Sequence, residues 1–314
     1  MVFALTAFTA FFISYIITPF IARLAKKQDF VDKPGYRKVH DNAIPNLGGI
    51  VIFFGFLLSA LFFVPFQEQI KAFLAGSIII LLLGIVDDIV DLKPLNKFII
   101  QLAPALLFII YHQDTINQFI IQKLSQFTIF GFLLYPVLIL WMVGITNSIN
   151  LIDGLDGLAA GISIISLVTF LIIGFLVDEI YLPYNLLNAA LLGSMIAFFR
   201  YNFYPAQIFL GDSGSTFSGF LISGSAILLV VYSKKPILLL IPVLTLALPI
   251  TDTLFAIWRR YKSHTPIFQA DRSHLHHRLL DRGISHRNVV LILLALNCIC
   301  SSLALSLAYF LLKN

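Results

Sequence analysis

Charge is scarce in this 314-residue chain: Asp, Glu, Lys and Arg together make up 12% of it. A soluble domain carries about 25%. With 59% hydrophobic residues and a mean hydropathy of +0.93, a soluble globular protein is excluded. Alternation of apolar and polar residues is missing too; the apolar stretches are continuous, which argues against a transmembrane β-barrel. No long polar segment exists. The longest, residues 259–288, falls below the roughly 40 residues under which a domain needs staples. Only two cysteines occur, Cys298 and Cys300 in the last apolar run. Two positions apart, they diverge on a helix and read as small packing residues. No basic region precedes the first apolar run, Val2 to Ala22, whose charges (Arg23, Lys26, Lys27) follow it. That run reads as a retained span, not a cleaved leader.

What the chain has is apolar runs long enough to span a bilayer, each span needing roughly 20 residues. They lie near 2–22, 47–66, 72–87, 98–112, 128–147, 158–177, 185–199, 215–232, 237–258 and 288–312. Lipid forces backbone hydrogen bonds to close within each segment, so the expected fold is an all-α polytopic bundle of ten transmembrane helices. It forms a single domain over 1–314. Placing both termini outside makes 23–46, 87–97, 147–157, 200–214 and 259–287 cytoplasmic. Of the 21 basic residues, only Lys71, Lys123, Lys234, Lys235 and Lys313 then fall on the other side, as the positive-inside rule requires. The net charge of +5 and the pI of 9.1 follow from this topology and do not indicate nucleic-acid binding. The acidic residues gather in or beside the same loops, with only Glu68, Asp114, Asp178 and Glu179 elsewhere. Topology alone does not ask for them, so a polar site on the cytoplasmic loops is expected.

Three acidic clusters define that site. In I-V-D-D-I-V-D, Asp87, Asp88 and Asp91 end the third span. A helix C-terminus is already negative, so three carboxylates there call for a compensating cation. Asp87 and Asp91 share a face, and Asp88 points about 100° away. In N-S-I-N-L-I-D-G-L-D-G-L-A-A-G, Asn147, Asn150, Asp153 and Asp156 recur every third residue with no basic residue between them. The third, F-L-G-D-S-G, places Asp212 just before the eighth span. Hard cations such as Mg²⁺ take oxygen ligands and are commonly held by one or two carboxylates plus substrate phosphates.

Basic groups complete the pattern. D-R-S-H-L-H-H-R-L-L-D-R-G gathers His274, His276, His277 and Arg278, with Arg272 and Arg282 nearby. Its H-x-H-H spacing lacks the i,i+4 pair of the usual two-His zinc motif, and Arg offers a planar fork for phosphate oxygens. The first loop carries Asp32, Arg37, Lys38 and His40 before Pro45 and Gly48-Gly49. Lys97, ten residues after Asp87, could reach a phosphate held at the acidic cluster. Asp252, inside the ninth span, reads equally as a functional acid or a structural pair with a neighbouring helix, and stays outside the expected core site.

The D-D pair after a span, N-x-x-N-x-x-D-G-x-D-G-L-A-A-G, F-L-G-D-S-G and H-x-H-H-R, in this order over residues 32–282, resemble the polyprenyl-phosphate N-acetylhexosamine-1-phosphate transferases. H-L-H-H-R-L-L is similar to the WecA/TagO branch, which uses UDP-GlcNAc; the MraY branch, which uses UDP-MurNAc-pentapeptide, typically shows a different histidine motif. The resemblance implies Mg²⁺-dependent transfer of GlcNAc-1-phosphate from UDP-GlcNAc to undecaprenyl phosphate, with Mn²⁺ able to replace Mg²⁺ and UMP released. It implies a bacterial plasma-membrane enzyme, active at the cytoplasmic face as a homodimer, whose product begins a cell-envelope polysaccharide such as teichoic acid or lipopolysaccharide. It makes Asp87 and Asp88 the catalytic pair, and Asp212, Asn150 and Asp88 the metal ligands. Asn147, Asp153, Asp156, Asn202 and Phe209 would line the nucleotide side. Lys97, His274, His276, His277 and Arg278 would bind phosphate and sugar.

Rival readings fit less well. A transporter would place ionisable residues near the midplane and show internal repeats; here the acids collect at one edge and no clear repeat is seen. An intramembrane aspartyl protease would show G-x-G-D, where this chain has F-L-G-D. Another UDP-N-acetylhexosamine, or UDP-MurNAc-pentapeptide, remains open as the donor.

Overall fold

The computed structural model describes residues 1–32, 43–124, 128–177, 182–266 and 274–313. Arg37, Lys38, His40 and Arg272 of the expected basic loops lie outside the described residues. The fold is all-α. Eight helices are long and apolar enough to cross a membrane: α1 (Val2–Lys27), α3 (Glu68–Val90), α4 (Pro94–Leu124), α5 (Thr128–Ile152), α6 (Leu158–Leu176), α7 (Leu182–Asn202), α8 (Gly211–Ser233) and α12 (His286–Lys313). Among the described residues the one sheet is a two-residue antiparallel pair, β1 (Val31–Asp32) with β2 (Ile44–Pro45).

Two of the ten expected spans take another form. The second is a short helix, α2 (Gly48–Phe63), whose 16 residues reach about 24 Å against a hydrocarbon core of about 30 Å. The ninth is broken: α9 (Leu240–Thr245) and α10 (Ala247–Lys262) meet at 78°. Pro249 explains the break, because it has no N–H for the Thr245 carbonyl four residues back and its ring crowds that oxygen. A six-residue helix, α11 (Leu275–Leu280), lies between α10 and α12.

The helices also run further than the apolar runs suggested. α3 continues to Val90, α5 to Ile152, and α4 begins at Pro94. The acidic motifs and Lys97 therefore sit on helix ends, with only residues 91–93 and 153–157 as connecting turns. A helix end fixes a side chain better than a loop does, because its backbone bonds are already made.

Helix α8 is the axis of the bundle, and its apolar spanning stretch is wholly buried among α2, α3, α4, α5, α6 and α7. Its small residues permit this. A side chain at Gly219 would run into the α5 backbone at Thr146. Ser215 and Ser218 return their hydroxyls to the carbonyls of Gly211 and Gly214, at 2.8 and 2.7 Å, so the buried axis carries few unmet polar groups. Small residues are what close helix packing uses where lipid removes the hydrophobic drive. The C-terminal ends of α1, α3, α5 and α7 and the N-terminal ends of α2, α6, α8 and α12 meet at one end of the bundle, around a single large cleft. Val2 and Lys313 lie at the other end.

Candidate active site

The cleft has a volume of 1420 Å³, larger than the roughly 300–1,000 Å³ of most ligand pockets. Its walls combine all three acidic clusters: Asp87, Asp88 and Asp91 at the end of α3, Asn150 in the last turn of α5 with Asp153 and Asp156 just after it, and Gly211 and Asp212 opening α8. Phe209, His277 and His286 line it, as do Arg23 and Lys26 of α1.

The two adjacent aspartates of α3 do different jobs. Asp88 accepts hydrogen bonds from the backbone N–H groups of Asp212 (2.7 Å) and Ser213 (3.1 Å) and from the Asn46 amide (3.1 Å). Those N–H groups open α8, where a helix has unpaired donors and a positive dipole end. Asp88 thus caps α8 from a neighbouring helix. The fit is tight: Gly84, one turn earlier, lies so close to the α8 backbone that a Cβ would sit 2.4 Å from the Cα of Ser213. Gly211 turns the chain into α8 with φ +73°, a conformation glycine adopts without penalty. Asp87 instead is buried, accepts from its own Leu92 N–H at 2.8 Å and pairs with Lys97.

Lys97, on the first turns of α4, bridges Asp87 to Asp212, its Nζ lying 3.0 Å from Asp212 Oδ2. Asp212 Oδ1 accepts from Asn150 Nδ2 at 2.7 Å. The charge expected to offset the α3 carboxylates is therefore supplied by the Lys97 ammonium and the α8 N-terminus. Asp212 is the accessible member: its side chain keeps 33% exposure, against 3% for Asp87. This changes the expected roles. With its oxygens spent on α8, Asp88 is a poor metal ligand, whereas Asp87 and Asp212 converge on one cationic group.

The donor set suits a hard divalent cation. Asp212, Asp87 and the Asn150 amide offer only oxygen ligands. Among the described residues no three His, Cys, Asp or Glu side chains group closely enough to hold a metal unaided. An ion that takes one or two carboxylates and completes its shell with substrate phosphates matches that arrangement.

The turn after α5 forms a second wall. Burial, and then the carboxylates of Asp212, Asp88 and Asp156, hold Asp153 well above the usual carboxylate range. Asp156 Oδ2 accepts from the Ala206 N–H at 2.9 Å, tying this turn to the segment before α8. Asn202 is buried, its Oδ1 accepting from Gly157 N at 3.1 Å and its Nδ2 donating to Ile208 O at 3.0 Å. It lines the cleft, as expected, and also braces two of its walls. Asn147 lies one turn further back on α5. It bonds to Gln101 and to the Val143 carbonyl and does not line the cleft.

The histidine cluster divides in the same way. His274 is buried, and its Nδ1 sits 2.7 Å from Asp252 Oδ2, while Asp252 Oδ1 accepts from the Leu275 N–H at 2.8 Å. Asp252 therefore anchors the start of α11, the contact that a structural pair would make. His276 is buried against Gly154, where a Cβ would overlap its ring. Burial, and then the neighbouring His277 and His274, push its pKa down to about 3, so it is neutral at ordinary pH. His277 faces the cleft, whereas Arg278 is exposed and away from it.

Sequence reasoning missed Asn46, Gln101, Arg23, Lys26 and His286. The first two sit in apolar or loop contexts with no motif. The basic pair of α1 was absorbed by topology, and His286 stood beyond the histidine motif.

The chain matches the family model described as glycosyl transferase family 4 over residues 70–230. It is 41% identical over 293 residues to a protein of Bacillus subtilis named probable undecaprenyl-phosphate N-acetylglucosaminyl 1-phosphate transferase, covering 93% of this chain and 81% of that protein. It is 32% identical over 299 residues to the undecaprenyl-phosphate alpha-N-acetylglucosaminyl 1-phosphate transferase of Thermotoga maritima, covering 95% and 89%. A phospho-N-acetylmuramoyl-pentapeptide-transferase of Thermoanaerobacter is 30% identical over 233 residues, covering 71% and 72%.

Proposed function

This chain belongs to glycosyl transferase family 4, and on that premise we propose that it transfers GlcNAc-1-phosphate from UDP-GlcNAc to undecaprenyl phosphate, releasing UMP. The observation that carries the reading is the meeting of the D-D pair, the D-G-L-D-G turn and the G-D-S-G turn on one cleft at the end of a membrane bundle. One substrate is water-soluble and the other lies in the bilayer, so a cleft at the bundle end is where both can reach. The positive-inside asymmetry supports a cytoplasmic position for that end, in the plasma membrane of a bacterium. A role in making envelope polysaccharide is part of the proposal and rests on the family resemblance. A homodimer belongs to the same proposal and rests on the family alone.

The reaction forms a bond from a lipid phosphate oxygen to the sugar-bearing phosphorus of the donor. The bond from that phosphorus to the bridging oxygen breaks, and UMP leaves with the electron pair. A phosphomonoester has a second pKa of about 6, so the nucleophile is already largely dianionic near neutral pH. What the chain must supply is alignment and relief of repulsion. Lys97 brings a positive charge to the convergence of Asp87 and Asp212. Asp88 fixes the turn that carries Asp212. Mg²⁺, or Mn²⁺ in its place, would be held by Asp212, Asn150 and Asp87 and would neutralise charge on the diphosphate oxygens. Phe209, Asp153 and Asp156 supply the nucleotide side, and His277, facing the cleft, the sugar and diphosphate side.

The test is product analysis with purified protein and UDP-GlcNAc labelled in the sugar. Label should pass into the lipid phase only when undecaprenyl phosphate is present. Competition by unlabelled UDP-MurNAc-pentapeptide should be weak. Transfer from the muramyl donor in preference would move the chain to the other branch of its family.

A further inference from the structure

The turn at residues 153–157 is held by groups far away in sequence. The residue at the N-cap of α6, Gly157, has no side chain to cap it, so the N–H groups around that start need partners from elsewhere. Gly157 N donates to Asn202 of α7. Asp156 N donates to Nε2 of His286, the first residue of α12, at 3.1 Å. A backbone N–H can only donate, so Nε2 must be the unprotonated nitrogen, and the ring carries its proton on Nδ1.

His286 touches the same wall at two further points. Its ring lies 4.6 Å from that of Tyr204, centroid to centroid, and its Nε2 is 3.8 Å from Asp156 Oδ1. Asp156 in turn holds the Ala206 N–H through its other oxygen. His286 thus joins the end of α12 to both strips of chain that form this side of the cleft, the 153–157 turn and the 204–206 segment. It is itself a cleft-lining residue, with its side chain 10% exposed.

We propose that His286 is a positioning residue for the donor's nucleotide end, acting by accepting the Asp156 N–H and so fixing the wall that carries Asp153 and Asp156. This rests on the transferase reading for the identity of the donor. The geometric part stands without it. His286 contacts Asp156 and Tyr204, and among its described contacts none is to Asp87, Lys97 or Asp212, so its loss acts on donor binding and spares the chemical step.

Two substitutions separate the accepting atom from the ring. His286→Phe keeps an aromatic ring beside Tyr204 and loses the acceptor, whereas His286→Gln keeps an acceptor of similar reach and loses the ring. With UDP-GlcNAc as donor, His286→Phe should raise KM by about tenfold, the effect of one buried donor left unmet, while kcat stays near the parent value. His286→Gln should restore the parent KM. Hydrogen exchange over the 150–160 segment should quicken in His286→Phe and return to the parent rate in His286→Gln. A parent-like KM and exchange in His286→Phe would overturn the proposal. So would equal impairment in both variants, which would make the ring and not the acceptor the active feature, or a loss confined to kcat. If the parent itself fails to turn over UDP-GlcNAc, the transferase reading fails, and the exchange rates of the two variants still decide whether His286 holds the turn.

Discussion

Asp88 and Asp212 lie 2.7 Å apart, carboxylate to backbone N–H, yet replacing each by asparagine should have different costs. Asp212 offers its carboxylate to the cleft, and its partners Lys97 and Asn150 each keep a second acceptor in Asp87 and Ser215, so Asp212→Asn should abolish UMP release at a smaller cost in thermal stability than Asp88→Asn. Asp88 spends its oxygens on the start of α8. An asparagine there retains one acceptor oxygen and turns the other position into a donor facing N–H groups. Asp88→Asn should therefore lower stability by about 1 kcal/mol, the scale of a lost helix cap, as well as activity. Thermal unfolding and UMP release measured on both variants read the difference. Asp153 makes a pH prediction. Its pKa is raised in the folded state, so between the unfolded and folded pKa values the native protein binds more protons, and stability falls as pH rises through that window. Asp153→Asn removes the cost. Its melting temperature should match the parent in acid, exceed it increasingly as pH rises above the ordinary Asp pKa of about 3.9, and level off once the raised folded pKa is passed; a gap that narrows with rising pH would contradict the burial argument.

At the scale of elements, the ten apolar runs of the sequence each correspond to a helix or, in the ninth, to a bent pair. Continuous hydrophobicity over a bilayer's width leaves the backbone little choice. Helix ends were less legible, because a carboxylate lowers hydropathy whether or not the backbone continues as helix. Hydropathy thus ends the third span at Asp87, with Asp87 and Asp88 at its C-terminus, whereas α3 continues to Val90. The pairing of motifs was legible only as chemistry. That the D-D pair caps the G-D-S-G turn depends on α3 meeting α8, and the small residues of α8 that permit this look like any small-residue run in the sequence. The contact gives its own test. Gly84→Ala places a methyl against the α8 backbone at Ser213 and should destabilise by about 1–3 kcal/mol, the usual cost of overpacking, with loss of activity. Gly144, whose Cβ would meet nothing within 4 Å, should accept alanine without loss. Equal stability of the two alanine variants would show that α3 and α8 do not meet at Gly84.

At the scale of the molecule, composition alone gave the membrane class, and four motifs in order gave the family. Neither located the cleft's supporting residues. Asn46, His286 and Asp252 act through contacts with no sequence signature, each bonding a backbone N–H or a motif side chain from a distant segment. The cleft collects helix ends from nearly every part of the chain, with α3 and α8 on one side and α5, α7 and α12 on another. On the proposed function, this cleft joins a soluble nucleotide sugar to a membrane lipid phosphate with a divalent cation held at Asp212. That is tested by UMP release by the purified protein from UDP-GlcNAc, with and without undecaprenyl phosphate, in Mg²⁺ and again in EDTA. Release is expected only when lipid and Mg²⁺ are both present, and none from Asp212→Asn. Release that persists in EDTA, or without the lipid, from a folded and monodisperse sample would contradict it.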